Sequence, residues 1–322
     1  MKIGCGFDPK IYIVNSDYRD LIRRHFTFVI PTWGMAPTSH HKQPNFKALS
    51  VVEEGVNAAV EDGLEVHGHF LMSRFSIPDW LKELADRGFS DSLQLLQQTI
   101  SEVVGFWGDR ISDWIVANEM ITANGLAPAH PWTRLVGDSM LSHAFNAAHA
   151  ANPKAKLWLK DFGIQHPWQW DAVYKEVARL KAQQIPIYGV GAHLHLNLFP
   201  VRTNRYVIDN IAAHLYPYHG IRINLFKHQV RRFQKLGLAF QASEVLVFPG
   251  GNHDLNQKAM AHAYQRYFQT SKDVGCSHFS VWCPVDDCRY PKLTWHWQGK
   301  QDYPGIWRWE EGLGYQTKFE LL

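Results

Sequence analysis

The sequence lacks long apolar runs, and it carries almost no net charge over its 322 residues. No stretch approaches the ~20 apolar residues that a membrane-spanning helix needs, so we expect no membrane partner. The formal net charge of +3 is too small to indicate nucleic acid as a partner. The first residues lack a basic segment followed by a long apolar one. This predicts either a cytoplasmic protein or a secreted protein whose leader has been removed.

Cysteine is scarce, with four residues at positions 5, 276, 283 and 288. No pair has the C-x-x-C spacing of a metal knuckle or a redox motif. The spacing of Cys283 and Cys288 permits a bridge across one loop, although so few cysteines in a chain of this length are more often free thiols. No glycine-rich phosphate loop follows the first predicted strand, which argues against a dinucleotide cofactor. We therefore predict neither a metal site nor a cofactor.

What the sequence does contain is a regular alternation of strand-like and helix-like segments. Hydrophobic residues at 46% and charged residues at 20% are typical of a globular protein with a large core. The predicted strands are Ile3–Phe7, Phe26–Ile30, Leu64–Leu71, Trp114–Ala117, Lys156–Lys160, Tyr188–His193, Ala239–Ser243 and His278–Trp282. The predicted helices are Tyr18–His25, Phe46–Asp62, Ser92–Phe106, Arg134–Ala151, Gln169–Gln183, Ile223–Leu236 and Gln257–Lys272.

Eight strands that alternate with helices predict an α/β fold of the (β/α)8 TIM barrel type. Such barrels usually need about 250 residues, and more when loops are inserted. No linker rich in Gly, Ser or Pro and no low-complexity run divides the chain. We therefore expect a single domain that spans residues 1–322.

Polar residues occur where the predicted strands end, at the edge where α/β barrels build their active sites. Glu119 follows the fourth strand and Glu244 follows the seventh, and these strands lie on opposite sides of an eight-stranded barrel. Two carboxyls that face each other about 5–5.5 Å apart suit a retaining glycosidase, with one nucleophile and one proton donor that later acts as a base. Asp161 alone would indicate a helix cap or an ion-pair partner. The other polar or aromatic residues near strand ends are His69, His193, His195 and Trp282.

Several stretches in a fixed order carry a family resemblance. They are Gly68-His69-Phe-Leu…Pro78-Asp-Trp80, Asn118-Glu119, Lys160-Asp161-Phe162, Gly189-Val-Gly191-Ala-His193-Leu-His195, Glu244 and Val281-Trp282…Asp286. Together they resemble glycoside hydrolase family 10, the endo-β-1,4-xylanases, over nearly the whole chain. The resemblance implies a retaining β-glycosidase that hydrolyses internal β-1,4 linkages of xylan or a related plant polysaccharide by double displacement. Glu244 would be the nucleophile and Glu119 the acid/base.

The same resemblance implies roles for four neighbouring residues. Asn118 would hold the sugar 2-hydroxyl, and His195 would hydrogen-bond the nucleophile to keep it oriented and ionised. His69 would contact the sugar in the subsite where cleavage occurs. Trp282 would form the wall of that subsite.

The sequence departs from this family at residues that bind sugar. Thr32-Trp33-Gly34-Met35-Ala36 replaces the family's Glu-Asn-Glu-Met-Lys, Ser73-Arg74 replaces its Trp-His, and Ser76 and His193 each replace a Gln. We expect Trp33, Arg74 and His193 to contact the substrate instead. Arg74 either meets an acidic substituent such as a uronic acid or forms an ion pair with a neighbouring loop. These changes predict a preference for a decorated or different β-linked chain over plain xylan.

Two other functions are compatible with the sequence. The pairs His67/His69 and His193/His195 each place two histidines on one face of a strand, as a metal-dependent TIM-barrel hydrolase could use. An amidohydrolase-type barrel would instead place the first pair on strand one and add a metal-binding Asp after strand eight. The lost sugar contacts would also suit a carbohydrate-binding barrel without catalysis, whereas retention of both glutamates favours hydrolysis.

Overall fold

Eight parallel strands close into a barrel, which confirms the predicted (β/α)8 fold. These strands are β1 (Lys2–Phe7), β2 (Phe28–Pro31), β3 (Glu65–Ser73), β4 (Asp113–Asn118), β5 (Lys156–Asp161), β6 (Gly189–Asn197), β7 (Ala239–Phe248) and β8 (His278–Val281). Around the barrel they follow the order β1-β8-β7-β6-β5-β4-β3-β2, so that β8 pairs with β1 to close it.

The computed structural model describes residues 1–35, 49–163, 167–197, 218–248, 253–286, 295–297, 300–302, 306–310 and 314–317. Its α-helices are Pro9–Val14, Ser16–His25, Ser50–Glu61, Asp79–Arg87, Ser92–Trp107, Pro131–Val136, Met140–Ala151, Pro167–Ala182, Tyr218–Gln234 and His253–Asp273, and Gly108–Arg110 is a 3-10 helix. Short strands outside the barrel are Ile121–Thr122, Gly125–Leu126, Val285–Asp286, Trp295–Trp297, Lys300–Asp302, Trp307–Glu310 and Gly314–Thr317. None of the helices in these ranges is long and apolar enough to span a membrane.

The strand β4, the most apolar stretch before a predicted catalytic residue, is buried along its full length. Its residue Trp114 pairs in register with Gly68 of β3. A Cβ atom added to Gly68 would lie 2.2 Å from Cε3 of the Trp114 ring. Glycine is therefore required at position 68, because the indole occupies the space that any side chain would need.

Some predicted boundaries were wrong. The predicted helix Arg134–Ala151 is two helices, Pro131–Val136 and Met140–Ala151, because Gly137 adopts a left-handed φ of 81° that ends the first one. Strand β7 continues beyond Ser243 to Phe248, and β6 continues to Asn197, so that His193 and His195 lie within a strand. The first part of the predicted helix Phe46–Asp62 lies outside the described residues, and the described part is Ser50–Glu61.

The cysteines that the structure describes are free thiols, namely Cys5, Cys276 and Cys283. Cys5 and Cys276 are buried. Burial raises the pKa of the Cys276 thiol to about 12, so this residue stays protonated. Cys288, the possible partner of Cys283, lies outside the described residues.

We expect Gly68→Ala to lower the free energy of unfolding by about 1–3 kcal/mol, because the new methyl group must displace the buried Trp114 ring. Denaturant unfolding followed by circular dichroism measures this change. Gly105→Ala is the matched control, since Gly105 lies in the helix Ser92–Trp107 and the added Cβ would meet no atom within 4 Å beyond the adjoining backbone of that helix. This control should stabilise the protein by up to about 1 kcal/mol. Equal stability of the two variants would contradict the packing described here.

Candidate active site

The two glutamates at the barrel mouth share an unusual backbone conformation. Glu119 has a φ of 57° and Glu244 has a φ of 48°, whereas this left-handed region costs a non-glycine residue about 1–2 kcal/mol. The Glu119 N–H donates to the carbonyl of Lys160 at 2.8 Å, and the Glu244 N–H donates to Oγ of Ser280 at 3.3 Å. Neighbouring strands thus hold both residues in a conformation that is found most often at functional sites.

The imidazole of His193 lies between the two carboxylates. Its Nδ1 is 3.0 Å from Oε1 of Glu119, and its Nε2 is 3.2 Å from Oε1 of Glu244. The residue is only 1% exposed. Burial by itself lowers the pKa of His193, but the charge of Glu244 and the hydrogen bond with Glu119 outweigh burial and raise this pKa above its usual value. His193 is therefore a buried contact of both carboxylates, and its predicted contact with the substrate stays a prediction.

Glu244 contacts three histidines. Besides His193, Nε2 of His69 lies 3.6 Å from its Oε1, and Nε2 of His195 lies 3.8 Å from its Oε2. Burial by itself raises the pKa of Glu244, but the charge of His193 and the imidazoles of His195 and His69 hold this pKa well below its usual value. The side chain is therefore an ionised carboxylate at neutral pH, as a nucleophile must be.

Two of the residues predicted to contact the sugar, Asn118 and Trp282, lie near the residues that hold the two glutamates. Asn118, the last residue of β4, is buried, and its Oδ1 has no hydrogen-bond partner among the described residues. Trp282 follows β8 and lies beside His69, with 5.0 Å between the ring centroids. Asn118 thus lies directly before Glu119, and Trp282 lies beside one of the histidines that contact Glu244.

Trp33 and Trp282 line one cavity of about 320 Å³ together with Thr32 and residues of the loop after β8. The indole N–H of Trp33 donates to Oδ2 of Asp8 at 2.8 Å. This bond fixes the indole at the rim of the cavity, where an aromatic ring can stack on a sugar face. Sequence reasoning gave no role to Asp8, which also caps the helix Pro9–Val14.

Arg74 lies at the C-terminal end of β3, where its N–H donates to the carbonyl of Asn118 at 3.4 Å. Its guanidinium stacks on Phe75 and Phe162, with distances of 4.6 Å and 5.2 Å to the ring centroids. These contacts of the guanidinium are with aromatic rings, and the ion pair with a neighbouring loop stays a prediction. Phe75 is 68% exposed, so this aromatic and cationic cluster faces solvent.

Two buried charged residues were not recognised as functional from the sequence. Asp161 at the end of β5 accepts hydrogen bonds from the N–H groups of Ile121 and Phe162, each at 2.9 Å, and so fixes the chain directly after Glu119. Burial raises the pKa of Asp161 to about 7. Burial also lowers the pKa of Lys160 to about 8, although the charges of Glu244 and Asp113 oppose this. An aspartate at a strand end is a weak signal, since helix caps and ion pairs use the same residue type.

The two His-x-His pairs differ in their contacts. His193 and His195 have nearly parallel rings 6.1 Å apart, and both contact Glu244. His69 contacts Glu244 too, whereas His67 lies 3.5 Å from Asp113. The histidines at the barrel mouth thus surround a carboxylate, as expected for a site that holds a nucleophile.

Known proteins resemble this chain over nearly its whole length. The model of the family described as glycosyl hydrolase family 10 matches residues 1–310. A β-1,4-xylanase of Dictyoglomus thermophilum is 26% identical over 303 residues, which are 89% of this chain and 79% of that protein. Endo-1,4-β-xylanase A of Caldicellulosiruptor sp. (strain Rt8B.4) is 30% identical over 209 residues, which are 61% of this chain and 30% of that longer protein.

Solved structures of xylanases share the fold. Native xylanase 10B of Thermotoga maritima superposes with a TM-score of 0.78 at 22% identity, covering 96% of this chain and 90% of that one. Xylanase 10B of Thermotoga petrophila RKU-1, solved in complex with xylobiose, also gives a TM-score of 0.78 at 22% identity, with coverage of 96% and 89%. At this level of identity the likeness establishes the fold.

We expect Glu244→Gln to lower the pKa of His193, because the substitution removes a negative charge that stabilises the imidazolium. NMR titration of the histidine ring signals measures this pKa. Glu83→Gln, which removes a charge from the exposed side of the helix Asp79–Arg87, should leave it unchanged. A pKa that rises or stays constant in Glu244→Gln would show that His193 does not share its proton with the carboxylates.

Proposed function

The chain belongs to glycosyl hydrolase family 10 and is a glycoside hydrolase of the xylanase type, and we propose that it hydrolyses internal β-1,4 linkages of xylan or a related plant polysaccharide with retention of configuration. Glu244 is the nucleophile and Glu119 the general acid/base in this proposal. The relatives are named for xylan cleavage, and one of the similar structures holds xylobiose. A polysaccharide is therefore the partner that we propose for this chain.

The observation that carries the proposal is that Glu119 and Glu244 contact opposite nitrogens of the single imidazole of His193. Two carboxylates that share one small ring are close neighbours. Glycosidases place two carboxyl groups on either side of the scissile bond, and the retention of configuration that we propose rests on the similarity to the xylanase family.

The reaction has two steps. In the first, the ionised Glu244 attacks the anomeric carbon while Glu119 gives its proton to the glycosidic oxygen, so that the aglycone leaves and a glycosyl-enzyme forms. In the second, Glu119 takes a proton from water, which attacks the same carbon and releases Glu244 as a carboxylate. Both residues thus return to their starting states, and no cofactor is consumed.

The surroundings of the two carboxylates match their proposed tasks. The three histidines stabilise the negative charge of Glu244 between turnovers. The hydrogen bonds of Asp161 fix the loop after Glu119, and this keeps the acid/base in position for both proton transfers. Trp282 and Trp33 offer apolar surfaces on which sugar rings can lie.

We expect Glu119→Ala to lower the rate of polysaccharide cleavage by about 10²–10⁴-fold, because the glycosidic oxygen then leaves without a proton. Formation of the glycosyl-enzyme from dinitrophenyl glycosides should change little, since dinitrophenolate is a good leaving group. Azide should restore turnover and yield a β-glycosyl azide. Steady-state kinetics with both substrate types, with and without azide, measures these effects.

The matched control is Asp161→Asn, which keeps the shape of a residue that positions the same loop but is not proposed to transfer a proton. This variant should hydrolyse both substrate types more slowly, and azide should not raise its rate. If Glu119→Ala behaves like this control, Glu119 is not the acid/base. If wild-type protein cleaves neither β-xylosides nor β-cellobiosides, the chain is instead a carbohydrate-binding barrel without catalysis.

We expect Arg74 to favour chains that carry a uronic acid. Its guanidinium stacks on Phe75 and Phe162, and a guanidinium pairs well with a carboxylate. The ratio of kcat/KM for glucuronic-acid-decorated over linear xylo-oligosaccharides should fall in Arg74→Ala. Arg87→Ala, at an exposed helix end, should keep the ratio of the wild-type protein. An unchanged ratio in Arg74→Ala would leave plain xylan as the substrate.

A further inference from the structure

A second cluster of metal-binding residue types lies nearer the N-terminal end of the barrel than the two glutamates do. It consists of Glu65 and His67 on β3 and His278, the first residue of β8. One ligand atom from each of these residues lies within 4.8 Å of the others. Two neutral imidazoles and one carboxylate are a donor set that zinc prefers.

Four polar atoms of this cluster are buried without a hydrogen-bond partner among the described residues. Both ring nitrogens of His67, Nε2 of His278 and Oε2 of Glu65 form no hydrogen bond within the described ranges. His67 is 0% exposed and His278 is 2% exposed. Buried polar atoms nearly always have a partner, so three residues with free ligand atoms that face each other need an explanation.

One ring nitrogen of each imidazole lies near a polar side chain. Nδ1 of His278 lies 2.9 Å from Oγ of Ser277, which leaves Nε2 for the interior. Nε2 of His67 lies 3.5 Å from Oδ2 of Asp113, and Oδ1 of Asp113 accepts a hydrogen bond from the Trp158 indole at 2.7 Å. Metal-binding histidines are typically oriented in this way, by a carboxylate or hydroxyl on the nitrogen that does not bind the ion.

We propose that Glu65, His67 and His278 form a structural site for a divalent cation of the zinc type, with water as the fourth ligand. The ion ties β3 to β8 across β1 and β2, which lie between them in the barrel. The other oxygen of Glu65 contacts the ammonium of Lys2, whose side chain is 40% exposed. The ion therefore reaches the cluster from the base of the barrel without passing the glutamates at its mouth.

This site serves stability rather than catalysis. Its residues lie in the first part of β3 and at the start of β8, whereas Glu119 directly follows β4 and Glu244 lies in the middle of β7. An ion that binds only the folded protein raises the midpoint of thermal unfolding. The proposal does not depend on the proposed function, because its tests measure binding and unfolding and not hydrolysis.

Titration of metal-free protein with Co²⁺, followed by visible absorption, tests the proposal. We expect one ion per chain, with the intense d–d bands of a four-coordinate site that Zn²⁺ displaces, and a rise in the unfolding midpoint with Zn²⁺. His278→Gln should weaken binding by at least about 100-fold, and Asp113→Asn by about 10–100-fold, because it removes only the group that orients His67. His149→Gln, on the exposed side of the helix Met140–Ala151, is the control and should bind as the wild type does.

If the variants at buried positions do not fold, Glu65→Gln still tests the proposal. The Glu65 side chain is half-exposed, so we expect this variant to fold and to bind the ion more weakly. Binding that is lost in His193→Gln but kept in His278→Gln would place the ion at the barrel mouth and overturn the proposal. The proposal also fails if wild-type protein shows neither the absorption bands nor a higher unfolding midpoint.

Discussion

The contacts of one buried imidazole, that of His193, connect the two carboxylates on which the site depends. Two carboxylates this close would repel each other in a buried pocket, and one of them would take up a proton. The imidazole between them favours the ionised form of Glu244, because its own pKa is raised and its Nε2 lies 3.2 Å from that carboxylate. The low pKa of Glu244 follows from this arrangement, and with it the capacity of that residue to act as a nucleophile.

The barrel makes this arrangement possible by holding both glutamates in left-handed conformations that a flexible chain would avoid. The cost is small beside the packing of strands such as β4, which is buried along its full length. Strand pairing also becomes irregular near the site, with register shifts between His69 and Met72 and between His193 and His195. Along a regular strand, side chains alternate strictly between the inside and the outside of the barrel. Such irregularities break this alternation and turn additional side chains towards the barrel mouth.

Much of this was predictable from the sequence, because strands and helices alternate regularly and a carboxylate directly after an apolar run is visible without a structure. The barrel and the pairing of glutamates from strands four and seven followed from those features, although Glu244 lies within β7 and does not follow it. The break at Gly137 was missed because a glycine inside a helical pattern does not always end the helix. The roles of His193 and Asp161, and the meeting of His67 with His278, depend on contacts between distant strands, which no local pattern encodes.

The central claim is that Glu244 forms the covalent bond to the sugar, and trapping of the glycosyl-enzyme tests it most directly. A dinitrophenyl 2-deoxy-2-fluoro-β-xylobioside reacts with a retaining enzyme to leave a stable ester, which mass spectrometry of peptides can locate. We predict stoichiometric labelling of the peptide that contains Glu244, with loss of activity in proportion. A label on another carboxylate, or continued turnover of xylo-oligosaccharides with no labelled peptide, would contradict the account.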